Sequence, residues 1–204
     1  MNRIENLIKH SFDATAKLHD ETSNDFHQHI LRVWWRHALL EGAGKIDEIT
    51  DETMMADHPV YHVNWGNTAA VIDGKQAVID FYRNAATDVI MFHTDNLIAV
   101  ADWGVADELT FHYVGTGKAL ATLGYETPDP EQYYDLSSRQ VFLWPFDERA
   151  RVKGENLYED KTSITFEEVD ESELITPERS VELNLQALDD LEKRLGPEYW
   201  IYRP

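Results

Sequence analysis

Five residues carry the side-chain types that proton transfer without a cofactor requires: His93, Tyr61, Asp95, His112 and Glu41. An imidazole exchanges protons near neutral pH, a phenol can donate to a developing oxyanion, and a carboxylate can orient an imidazole or act as a base. In Phe92-His93-Thr94-Asp95-Asn96-Leu97-Ile98, period two sets His93 and Asp95 on one face of a strand. A carboxylate there would orient the ring and raise its pKa. Tyr61 adjoins His62, and only one of the two can line a pocket without a bulge. His37 lies on the apolar stripe of a helix, one turn before Glu41, and either residue can face a pocket. Alternation groups His112 with Thr110 and Val114, against the more apolar Leu109, Phe111 and Tyr113, which argues that His112 faces outward. Arg139 and the Tyr133-Tyr134 pair border a loop and are candidates to bind substrate oxygen.

Other chemistries are excluded or weakened. The 204 residues include no cysteine, which removes disulfides, thiolate metal sites and cysteine nucleophiles. There is no dinucleotide or phosphate loop, no His-Glu-x-x-His and no Gly-x-Ser-x-Gly elbow. His27 and His29 point about 200° apart on a helix and are poor joint metal ligands. No metal and no cofactor are expected. The net charge of −20 repels phosphate backbones and anionic lipid, so neither nucleic acid nor membrane is an expected partner. No run of 18 apolar residues occurs, and the first twenty residues lack a signal-peptide core. A cytoplasmic protein is expected.

The elements that must position these residues are legible in outline. Residues 1–20 read as a helix carrying Ile4, Leu7, Ile8 and Phe12. Residues 24–41 form the strongest helix, with Phe26, Ile30, Val33, His37 and Leu40 at helical spacing, Ser23 or Asn24 as cap and Gly42 at its end. A short helix follows around Ile46 and Ile49. Residues 60–65 read as a strand broken at Gly66-Asn67, and Asp73-Gly74 opens a helix carrying Ala77, Val78, Phe81, Tyr82 and Ala85. The period then changes to two. Residues 89–100, 105–114, 132–146 and 153–166 read as strands. Asp102-Trp103-Gly104 reads as a hairpin turn, and 115–131 as a loop. The acidic run through Glu167, Glu168, Asp170, Glu171 and Glu173 reads as a solvated linker. The last helix starts at Thr176-Pro177, ends at Gly196-Pro197 and would bury Val181, Leu185, Leu188 and Leu195. Helices, hairpin strands and a final helix imply an α+β fold with a mostly antiparallel sheet.

This order resembles the NTF2-like superfamily, in its SnoaL-like and scytalone-dehydratase-like branch. The resemblance rests on four stretches. Ala56-Asp57-His58-Pro59-Val60-Tyr61-His62-Val63 is similar to a first strand in which an acidic turn precedes an aromatic-His pair. Gly74-Lys75-Gln76-Ala77-Val78-Ile79-Asp80-Phe81-Tyr82 is similar to the helix that follows. Phe111-His112-Tyr113-Val114-Gly115-Thr116-Gly117 resembles a strand ending in a Gly-Thr pair, and Asn156-Leu157-Tyr158-Glu159-Asp160 a late-strand ending. Together they cover residues 24–166. The resemblance implies a cone: a curved sheet wrapped by N-terminal helices around a pocket for a small apolar molecule, here with an extra C-terminal helix. It implies an N-terminal helical extension at 1–22, a SnoaL-like domain at 23–168, and an acidic linker and helix at 169–204.

In the dehydratase-like branch the histidine at the place of His93 is a catalytic acid/base, and the tyrosine at the place of Tyr61 polarises a carbonyl or holds a water. The family pattern also sets His112 inward, opposite to its alternation, so its face stays open. Glu41 or His112 would be the second acid/base. His37, Trp65, Tyr113 and Arg139 would bind substrate. The Arg-Asp relay of epoxide hydrolases is missing. The function implied is a cofactor-independent lyase, dehydratase or isomerase of aromatic compound catabolism. It would act on a small hydroxylated aromatic or polycyclic molecule by C–O or retro-aldol-type C–C cleavage. A polyketide-cyclase-like enzyme and a non-catalytic binding module are the alternatives, and a homodimer or homotrimer is expected. Six Trp, nine Tyr and eight Phe suit a flat phenolic substrate.

Overall fold

The computed structural model describes residues 2–84 and 88–203. Four helices come first: α1 (Arg3–His10), α2 (Asp13–Glu21), α3 (Asp25–Gly42) and α4 (Ile46–Ile49). The expected single N-terminal helix is two, broken at Ser11-Phe12, and Ser11 Oγ donates back to the Leu7 carbonyl at 3.2 Å. Asn24 caps α3 by accepting from the Phe26 and His27 backbone N–H groups, which satisfies two otherwise unpaired donors. The helix then buries Ile30, Val33, Trp34, His37 and Leu40 against the sheet side of the core.

The sheet holds β1 (Met55–Trp65), β2 (Thr68–Asp73), β3 (Ile90–Ala101), β4 (Gly104–Thr116), β5 (Tyr133–Pro145) and β6 (Val152–Glu168) in the order β2-β1-β6-β5-β4-β3. Helix α5 (Lys75–Asn84) lies between β2 and β3; the expected buried position Ala85 lies outside the described residues. Every pairing is antiparallel except β1 with β6, which is parallel. A parallel neighbour needs a long crossover. The chain supplies it with the whole run from β2 through β5.

Register sorts the side chains. Tyr61 opposes Glu155, Val63 opposes Leu157, Phe142 opposes Leu157, Asp107 opposes Phe142 and His93 opposes Phe111. These residues share the concave face with Leu109 and Tyr113, and that face and α3 enclose the main core. On the opposite face, Phe92 and Val114 pack under Ile4 and Ile8 of α1 and Leu183 of α7 (Pro177–Leu195). No helix among the described residues is long and apolar enough to cross a membrane.

Three local readings are corrected. Residues 68–73, not recognised as a strand, are β2, hairpinned to β1 through Gly66 at φ 52°. The expected loop 115–131 contains α6 (Gly117–Thr122), capped by Thr116 Oγ1, which accepts from the Ala119 N–H. Helix α7 buries Ser180, Leu183, Asn184 and Leu191, while Leu185 is exposed. The stripe turns because α7 crosses α3 at Gly42, where an added Cβ would lie 2.7 Å from the Asn184 side chain. The acidic run is also partly ordered: β6 continues to Glu168, and Glu173 meets Arg3 at 3.4 Å.

The β1–β6 joint has a steric requirement. Pro59 sits where the register shifts between Met55 and Val60, a position that needs no ladder N–H. Across from it, a Cβ on Gly154 would lie 2.0 Å from the Val60 carbonyl oxygen. Gly154→Ala is expected to lower unfolding stability in urea by about 2 kcal/mol or more. The exposed neighbour change Lys153→Ala is expected to stay within about 0.5 kcal/mol of the parent. Equal midpoints for the two variants would refute this account of the joint.

Candidate active site

The parallel joint places a carboxyl beside a phenol. Glu155 is the cross-strand partner of Tyr61, and both are buried. Tyr61 Oη lies 3.1 Å from Tyr82 Oη, which lies 2.8 Å from His37 Nε2. Trp144 stands edge-on to the His37 and Tyr61 rings at 5.0 and 6.4 Å. Glu41, one turn after His37, brings a second carboxyl to the same group: its charge acts on Tyr61, Tyr82 and Glu155. Neither Glu41 nor Glu155 accepts a side-chain hydrogen bond among the described residues.

Burial sets the protonation states. It raises the Glu155 carboxyl well above its ordinary value, and the Glu41 charge raises it further. Glu41 is raised to about 7, also by desolvation. Yet its side chain is solvent-exposed. The Tyr61 and Tyr82 phenols are raised, chiefly by burial, and so stay protonated. Burial lowers His37 to about 3, so its ring is neutral. Its Nδ1 has no partner among the described residues. An unmet lone pair costs less than an unmet buried N–H. The proton therefore sits on Nε2, and donation runs from His37 to Tyr82 to Tyr61. The Tyr61 O–H is left free to donate to a bound oxygen.

His93 shares the concave face but belongs to a different group. Its ring meets Phe12 edge-on at 4.9 Å and tilts toward Trp34 at 6.3 Å. Asp95 does not orient it. The β3–β4 register shifts between Thr94 and Leu97, and Asp95 takes a left-handed φ of 54° in that bulge. Its carboxylate turns to the outer face and accepts from the Thr94 and Thr110 hydroxyls at 3.2 and 3.3 Å. Asn96 takes its place, with Oδ1 3.0 Å from His93 Nδ1. Burial lowers His93 to about 4, against the rise expected from a carboxylate partner.

Two further candidates lie outside the cone. His112 faces outward, as its alternation argues: Nδ1 is 2.8 Å from Asp135, Nε2 is 3.1 Å from Thr94 Oγ1, and the ring stacks on Phe92. Arg139 is also on the outer face, bonded to Glu108 and, at 3.4 Å, to Thr110 Oγ1. Trp65 and Tyr113 are on the concave side, stacked at 5.7 Å, with Gln140 Nε2 donating to the Tyr113 hydroxyl at 2.7 Å. Among the described residues no group of three or more His, Asp or Glu is arranged to hold a metal.

Glu155, Tyr82 and Asp107 are not among the candidates that local sequence suggests. Alternation in Glu155-Asn156-Leu157 already sets Glu155 with the apolar Leu157, which was the available signal. Tyr82 was read as one more apolar residue of its helix, and its role depends on a partner 45 residues away.

The sequence matches no family model and no curated protein. Solved structures do match. One is a protein of Shewanella putrefaciens CN-32 described as a SnoaL-like polyketide cyclase. It is 14% identical, with 74% of this chain and 89% of that one covered and a TM-score of 0.55. A second, from Xanthomonas campestris pv. campestris and described as a polyketide cyclase, is 15% identical, with 68% and 95% covered and a TM-score of 0.50. The Δ5-3-ketosteroid isomerase of a Mycobacterium species aligns at 15% identity over 68% and 98%, with a TM-score of 0.49.

The protonation states predict opposite pH responses. The folded chain keeps the Glu155 proton where the unfolded chain, at its ordinary 4.5, has released it. The native state then binds more protons, and this contribution makes stability fall as pH rises from 4.5 through the raised folded value. Glu155→Gln is expected to melt about 3 °C or more above the parent near pH 8, with the difference gone near pH 4. A gain of equal size at both pH values would contradict a raised Glu155. The two depressed histidines act the other way: their share of stability is lost as pH falls from 6.5 toward about 3 for His37 and about 4 for His93. Nitrogen NMR near pH 5 is expected to find both rings neutral, and a protonated His37 or His93 there would overturn its assignment.

Proposed function

The chain has an NTF2-like fold, and on that premise we propose that it is a cofactor-independent acid–base catalyst. The activity is that of a lyase (a dehydratase or aldehyde-releasing lyase) or an isomerase. The substrate is a small hydroxylated aromatic or polycyclic compound. One observation carries this reading: two carboxyls with no side-chain hydrogen-bond partners among the described residues, electrostatically linked to each other, beside the Tyr61 hydroxyl. Such a pair is costly to fold around, and perturbed unpaired acids of this kind concentrate at functional sites.

The roles follow from the protonation states. Glu41, accessible and poised near 7, removes a proton from a carbon next to a carbonyl, or the O–H proton of a phenol whose ring carbon is then protonated. Charge moves onto that oxygen, where the Tyr61 O–H and the retained Glu155 proton donate to it. A phenol and a neutral buried acid form an oxyanion site of known type. Protonated Glu41 then returns its proton to another carbon, which isomerises the substrate, or to a departing hydroxyl, which leaves as water. Glu41, not His93, moves the proton, and the supporting hydrogen bonds come from Tyr82 and His37, not from Asp95. A polyketide-cyclase-like ring closure would draw on the same carboxyl pair, with the carbanion attacking a second carbonyl.

Exchange of carbon-bound hydrogen with deuterated water tests the chemistry without knowledge of the natural substrate. Proton NMR would follow a panel of hydroxylated aromatic ketones and naphthols. The parent is expected to accelerate exchange on at least one of them. Glu41→Gln is expected to lose about 10²- to 10⁴-fold and Tyr61→Phe about 10²-fold. His62→Ala, on the exposed face of the same strand, is expected to retain full rate. If Glu41→Gln and Glu155→Gln both exchange as fast as the parent, the acid–base reading fails.

A further inference from the structure

Apart from the carboxyl pair, the concave side of the sheet carries a second polar chain that the acid–base chemistry does not use. His93 Nδ1 lies 3.0 Å from Asn96 Oδ1, and Asn96 Nδ2 lies 2.8 Å from Asp107 Oδ2. These bonds have a fixed direction. Asn96 donates to Asp107 through its nitrogen, so its oxygen must accept, and His93 Nδ1 must carry the proton. His93 Nε2 is then a bare acceptor. The proton of a neutral Asp107 sits on Oδ1, because Oδ2 is engaged as an acceptor. His93 Nε2 and Asp107 Oδ1 have no partner among the described residues, in side chains 8% and 0% exposed. Burial favours both neutral forms, lifting Asp107 to about 7 and lowering His93 to about 4.

A bare acceptor and an O–H donor are complementary to one alcohol or phenol, which both donates and accepts. Asp107 opposes Phe142, Phe142 opposes Leu157, and Glu155 lies two residues along from Leu157. Two strand spacings and two residues put Asp107 roughly 12 Å from Glu155 along the sheet. Phe142 and Trp144, stacked at 6.3 Å with nearly parallel rings, lie on the sheet between them.

We propose that His93, Asn96 and Asp107 form a distal subsite that takes a hydroxyl at the far end of a flat fused-ring substrate oxygenated at both ends. The near end rests on the acid–base role proposed for Glu41 and Glu155. Phe12 covers His93 on one side, and it also lines a recess of about 260 Å³ with Ala16, Trp35 and Leu191.

Two probes differing by one hydroxyl test this: β-naphthol, and the naphthalene diol with its second hydroxyl at the opposite end. Tryptophan fluorescence titration of the whole chain is expected to show the diol bound about tenfold tighter, as one added hydrogen bond to a buried group gives. Asp107→Val is expected to equalise the probes while binding β-naphthol as before. Asp107→Asn is expected to keep the preference, since its amide N–H replaces the lost O–H. His93→Phe, which preserves the packing against Phe12 and Trp34, is expected to weaken the preference and serves if Asp107→Val does not fold. Equal affinities in the parent, a preference surviving in Asp107→Val, an undiminished preference in His93→Phe, or no binding of either probe would overturn the subsite. Deuterium exchange on β-naphthol reports the carboxyl pair alone. Exchange that depends on Glu41, without a diol preference, overturns the subsite and spares the acid–base reading. A diol preference without exchange does the reverse.

Discussion

The pairing of β1 with β6 is the contact on which the rest of the molecule depends. It is the sheet's one parallel joint among the described residues, and it joins strands about ninety residues apart in the chain. It sets Tyr61 opposite Glu155. It also bends the ladder at Pro59, and it tolerates no side chain at Gly154. The antiparallel hairpins from β3 to β6 would form a sheet without it. They would not bring a phenol from the first strand against an acid from the last.

That joint makes the interior expensive. Glu155 and Asp107 are buried acids, and His37 and His93 are buried bases. Burial penalises the charged form of each, so all four are driven toward neutrality at the pH where the surface carries its full negative charge. The core that offsets this cost is aromatic. Rings of Trp144, Phe142, Phe111 and Tyr113 follow one another across the concave face at separations of 5.0 to 6.3 Å. They add apolar area and hold polar tips at fixed places. Elsewhere carboxylates are met by guanidinium groups, in pairs such as Arg3 with Asp135 and Arg151 with Asp147.

Local sequence revealed the elements better than it revealed their partners. The caps at Asn24 and Thr176, the turn at Asp102-Trp103-Gly104 and the alternation of β4 depend on neighbours within a few residues, and all are visible without the fold. Alternation alone placed His112 outward, and the family pattern that set it inward was misleading. The pairing of His93 with Asp95 failed because period two holds only for an unbroken strand. The chain gives no plain sign of the bulge, since aspartate is merely one of the residues that tolerate a left-handed φ. Glu155 and Tyr82 escaped notice because their meaning comes from residues 94 and 45 positions away, and no local pattern encodes such a partner.

The bulge at Asp95 has a consequence for how this molecule can change. Beyond it, each β3 residue is offset by one from where an unbroken strand would carry it. The extra residue therefore works as a reading frame for the sheet edge. Deleting a single residue between Thr94 and Leu97 would restore the ladder and remove a strained backbone, a gain for the sheet taken alone. Which residue is lost decides the interior: without Asp95, Asn96 stands two positions after His93 on the same face, whereas without Asn96 the chain from His93 to Asp107 loses its middle member. The number of residues at this point thus sets the frame of the edge, and their order sets the polarity inside it.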